Sequence, residues 1–192
     1  MNTESLHASF HNLVQVVAQE NLQLPPLLNE HALVFCAWFA QQGYGRLKKK
    51  AFFTVLTQAL PWYERVVAAL QRLQACVQGT SLEQHAALVC SIKQAEALSR
   101  RIAQSIWVET LPAFSAPTGP VRVQHLMDAC VNMMHYGTLV HVCLEADDHA
   151  PLQCLLALVF PECTVAQIGQ TYAAALSATK RTPAGQMTLC FD

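Results

Sequence analysis

Charge is scarce in this chain. Asp, Glu, Lys and Arg make up 13% of its 192 residues, while hydrophobic residues make up 53%; soluble domains carry about 25% charged residues. That balance excludes a disordered polyelectrolyte, which needs low hydropathy and high net charge. It also leaves little to cover the outside of a monomer, so some apolar surface is expected to meet another protein or a second copy of the chain. Long apolar runs are missing as well. The longest, Ala32 to Ala40, has nine residues, well short of the ~20 of a membrane-spanning helix. Residues 1–13 lack a basic start and a small-residue cleavage site, so no secretory signal is expected.

No Cys-x-x-Cys pair occurs among the eight cysteines, which removes the strongest zinc and redox signatures. Cys36, Cys76, Cys90 and Cys130 fall inside helical patterns, and buried, reduced thiols are the expectation. There is no Gly-x-Ser-x-Gly, P-loop, kinase-like or His-Glu-x-x-His motif, no internal repeat and no low-complexity tract. No cofactor and no metal site is expected, and the compartment suggested is cytoplasmic.

What is present is helical periodicity. Trp62, Val66, Leu70, Leu73 and Val77 recur at intervals of three and four, one apolar helix face. Pro61 is placed as a first helical residue and Gly79 as the stop. Ser81 and Gln84 then form a capping box. Leu88, Ile92, Ala95, Leu98 (or Ser99), Ile102 and Ile106 continue the rhythm, so an antiparallel helical hairpin is expected over about 61–111. Before it, helices are expected near 4–20 (Leu6, Phe10, Leu13, Val17 inward), 27–42 (Val34, Phe35, Trp38, Phe39 inward) and 46–60. Pro112 to Pro120 reads as a linker. The fold class expected is therefore mainly α, a helical bundle built around the hairpin, with a helical domain 1–112 and a C-terminal helical segment 121–192, with short strands, packed on it as one unit.

The last third is less regular. Residues 121–136 read as a helix closed by Gly137. Thr138 to Glu145 alternates Val140, Val142 and Leu144 against His141 and Cys143, which favours a short strand. Residues 186–192 alternate in the same way and are a candidate partner strand. Asp147 or Asp148 is expected to cap a helix ended by Pro161, and Thr164 with Gln167 to box the start of another.

Three functional readings follow. The leading one is a non-catalytic intracellular protein–protein interaction module, an adaptor or assembly factor, with Trp38, Trp62 and Trp107 as partner-facing anchors. The second uses the turn Gly43-Tyr44-Gly45 and the cations after it. Residues 1–42 hold three acids and no Lys or Arg, residues 43–101 carry a net +6 and residues 102–192 a net −4. Arg46, Lys48, Lys49 and Lys50 open a helix in a helix-turn-helix-like layout, so backbone contact with nucleic acid or another polyanion is the alternative. The third is an enzyme or metal site in the last third, where His125, Cys130, His135, His141, Cys143, His149, Cys154 and Cys163 collect; His141, Cys143 and His149 are its first candidates. Glu4 and His7 make one Glu-x-x-His, but the second copy that a di-metal bundle requires is absent.

Overall fold

A computed structural model describes residues 3–78, 85–111 and 122–181. It is mainly helical, with no strand among the described residues. The helices are α1 (Thr3–Gln19), α2 (Glu30–Gln41), α3 (Lys49–Trp62), α4 (Ala68–Gln78), α5 (His85–Glu109), α6 (Arg122–Leu139), α7 (His149–Val159) and α8 (Val165–Arg181). A π-helical segment, Tyr63–Val67, joins α3 to α4, and a 3-10 turn, Ala146–Asp148, precedes α7. The chain forms two compact units, Met1–Asn12 with Lys48–Phe114, and Leu13–Leu47 with Ser115–Asp192. The expected linker, Pro112 to Pro120, lies outside the described residues. The chain passes between the units inside α1 and at the start of α3, so residues 13–47 group with the last third of the chain.

In the second of these units α2 is the central element. Asn29 caps it, its Oδ1 accepting from the Ala32 N–H at 3.1 Å. All ten residues from His31 to Ala40 are buried, the mark of a core helix apolar on every side. It packs chiefly on α6 and also on α7, and α6 in turn packs on α8. The Asn29 N–H donates to the Tyr136 hydroxyl of α6 at 3.0 Å. Gln41 Nε2 donates to the Val159 carbonyl of α7 at 2.6 Å. α2 stops in a Schellman motif: Gly43 sits at φ +86°, its N–H bonds to the Ala40 carbonyl, and the Tyr44 N–H bonds to the Phe39 carbonyl. The apolar contact such a motif invites is made by stacked rings, Phe39 on Tyr44 at 4.9 Å.

The turn that follows is fixed by one side chain of α6. Asn132, fully buried, accepts from the Leu47 N–H at 2.8 Å and donates to the Gly45 carbonyl at 3.1 Å and the Cys36 carbonyl at 3.3 Å. Gly45 itself has φ +77°, left-handed backbone that only glycine adopts without strain.

The expected strand over 138–145 is absent. α6 runs past Gly137 to Leu139 and ends in a second Schellman motif, with the His141 N–H on the Thr138 carbonyl and the Val142 N–H on the Gly137 carbonyl. His141 takes the left-handed position usually given to glycine, at φ +57°. The alternation of Val140, Val142 and Leu144 is thus a helix end and an extended exit; the proposed pairing segment 186–192 lies outside the described residues. Asp148 stands at the expected N-cap position of α7, but its side chain makes no cap bond there and turns back to the preceding 3-10 turn. Glu145 is the cap of the 3-10 turn, and Asp148 accepts from the Glu145 N–H to complete its box. The Thr164–Gln167 box is present in both directions.

In the other unit, α3, the π segment and α4 follow without a break, and Pro61 lies inside α3 rather than at a start. Proline removes one helical N–H and crowds the preceding turn. Beyond it the helix widens, and the Ala68 N–H reaches back five residues to the Tyr63 carbonyl. α4 packs on α5, as does α3. Trp62 Nε1 donates to the Ser99 carbonyl at 2.9 Å, and His11 Nδ1 donates to Gln104 Oε1 at 2.6 Å. Gly79, Ser81 and Gln84, expected to end one helix and box the next, lie outside the described residues.

Two substitutions test these local accounts. Asn132→Leu leaves the buried Leu47 N–H without its acceptor and removes the donor to the Gly45 and Cys36 carbonyls, and is expected to cost about 3 kcal/mol in urea-induced unfolding. His141→Gly relieves left-handed backbone and is expected to stabilise by about 0.5–1 kcal/mol in the same experiment.

Candidate functional site: the outward face of α5

α5 carries more apolar surface than its own unit covers. Ile92, Ala103, Trp107 and Val108 are buried, together with Ser99 and Gln104. Leu88, Leu98 and Ile102 face outward at 44%, 61% and 38% exposure, with Ala95 exposed between them. The spacing of Leu88, Ala95, Leu98 and Ile102 (seven, three, four) places all four on one stripe beside the buried face. The expected single face of α5 is therefore two adjoining faces, of which the one containing Ile92 and Ser99 points inward. Arg101, three residues after Leu98, flanks the open stripe and is exposed. Arg100 is held in its own helix by Glu96, at 2.7 Å. In α4, Leu73 is 47% exposed, and none of its described side chains is fully buried.

The three tryptophans are distributed differently. Trp38 and Trp107 are 0% and 2% exposed, core side chains of their units. Both are thereby removed as partner-facing anchors, because the apolar patterns that drew attention to them are core patterns. Trp62 is half-buried with its indole N–H already bonded to Ser99.

The basic turn divides. Arg46 Nε lies 2.8 Å from Asp128 Oδ1, the same oxygen that accepts from Gln124 Nε2. This cation is paired within its unit, although over half of its side chain remains exposed. Lys48, Lys49 and Lys50 are exposed, with no ion pair among the described residues. They open α3 with no acidic residue in its first turn, and Phe53, one turn on, is 58% exposed.

The His/Cys residues of the last third do not converge. No group of three or more His, Cys, Asp or Glu among the described residues is placed to hold a metal. His141 and Cys143 are exposed on the exit from α6. His149 instead meets α8: its Nδ1 and the hydroxyl of Tyr172, 2% exposed, share a hydrogen bond of 2.9 Å. Burial, with smaller contributions from Cys130 and Asp148, pushes the Tyr172 phenol well above its ordinary range, so it stays protonated. Burial likewise raises the Cys36 thiol and pushes Cys130 up to about 12, which suppresses the thiolate a nucleophile needs.

One cleft of about 440 Å³ lies between α3 and α5, floored by Ala51, Val55 and Ile106 and edged by Thr54, Gln58, Glu109 and Thr110. The Thr54 and Thr110 hydroxyls donate to the Lys50 and Trp107 carbonyls of their own helices. What remains is one carboxylate and one amide, without the paired groups that acid–base chemistry uses. Comparison with protein-family models, curated proteins and solved structures finds no match to this chain.

Thiol reactivity checks this placement. At pH 8 a maleimide is expected to label Cys76, Cys90, Cys143 and Cys154, which are exposed, and to spare Cys36 and Cys130 until the protein unfolds; peptide mass spectrometry reads the outcome. Because the folded Cys130 thiol is raised from about 9 to about 12, the unfolded chain ionises first. Stability is therefore expected to fall as pH rises through that window, by up to about 1 kcal/mol per pH unit for this group.

Proposed function

We propose that this chain is a non-catalytic protein-binding module, of the adaptor or assembly-factor kind, whose partner seats on the outward stripe of α5. The observation that carries the reading is the exposure of Leu88, Leu98 and Ile102 on one helix face, in a chain whose scarce charge leaves that face unscreened. An amphipathic helix reads such a stripe through anchors at intervals of three and four, and an apolar seam with a polar rim is the usual anatomy of that contact. In this reading α4 and α5 form a hairpin arm, with Leu73 extending the contact. No helix among the described residues is long and apolar enough to cross a membrane.

A photo-reactive amino acid at position 98 tests this in native extract, with the same residue at Thr57 as control. A discrete cross-linked species from position 98, lost on Ile102→Glu and absent from position 57, is expected. No species, or the same pattern from both positions, contradicts the reading. Exposed sites tolerate such changes within about ±0.5 kcal/mol, so unfolding does not confuse the outcome.

A second reading, polyanion binding, is favoured by Lys48, Lys49 and Lys50 standing exposed beside Phe53. Lysines contact phosphates and an exposed ring can stack on a base. Arg46 contributes less, since Asp128 already neutralises it. Retardation of single-stranded DNA at about 50 mM salt, weakened by about tenfold or more at 200 mM and abolished by Lys48→Glu with Lys49→Glu, is expected if this surface is used. No retardation at micromolar protein removes it.

A further inference from the structure

We draw no further inference here: the strongest candidate, the outward apolar stripe of α5 with Arg101 on its flank, belongs to the surface already described, and nothing in the structure shows what covers it.

Discussion

The course of the chain out of α2 depends on the amide of Asn132. A helix buried on all sides must leave the core through backbone that itself has to be satisfied, because unpaired N–H and C=O groups in the interior are costly. The exit is made through two left-handed glycines, Gly43 and Gly45, and the peptide groups they expose are taken up by Asn132. A single side chain on α6 thereby anchors the turn after α2 and sets where Leu47 lies. Asp128, one turn earlier on α6, holds Arg46 in the same stretch. The basic turn is therefore first a structural joint, and only the lysines beyond it are free to do anything else.

α5 shows the opposite imbalance. Its apolar arc is wider than the unit around it can bury, so Ile92 and Trp107 are enclosed while Leu98 and Ile102 stand out. Single exposed leucines are ordinary on protein surfaces. Here, however, they align along four turns with Ala95 between them, and the rest of the chain offers few charges to surround them. The cost of leaving that area in water, about 25 cal/mol per Å², is the energy available to a partner.

Much of this architecture was legible in the residues. Leu6, Phe10 and Val17 of α1, the core positions of α2, the tight turn at Gly43 and the Thr164–Gln167 box follow from spacing and capping chemistry, which are local; the fourth inward position of α1 is Val14 rather than the expected Leu13. What could not be read was set by tertiary context. Pro61 is acceptable at a helix start or, at the cost of one hydrogen bond, within a helix that widens after it; only the packing around Trp62 and Ser99 decides. Val140, Val142 and Leu144 mimic a strand because a helix end with an extended exit also alternates, and nothing marks His141 as left-handed. The face of α5 was misassigned because Leu98 and Ser99 are both compatible with the periodicity. For the candidate sites the limits were similar. Trp38 and Trp107 could be anchors or core by pattern alone, and Arg46 meets Asp128 across 82 positions of sequence.

The central claim is that the α5 stripe is open in the isolated chain. Carbene footprinting of the dilute purified protein, read by peptide mass spectrometry, measures this directly. Strong labelling at Leu88, Leu98 and Ile102 with protection at Ile92 and Trp107 is the expected result. Protection of Leu98 and Ile102 to the level of Ile92 would mean that the chain covers its own stripe, and would contradict the account.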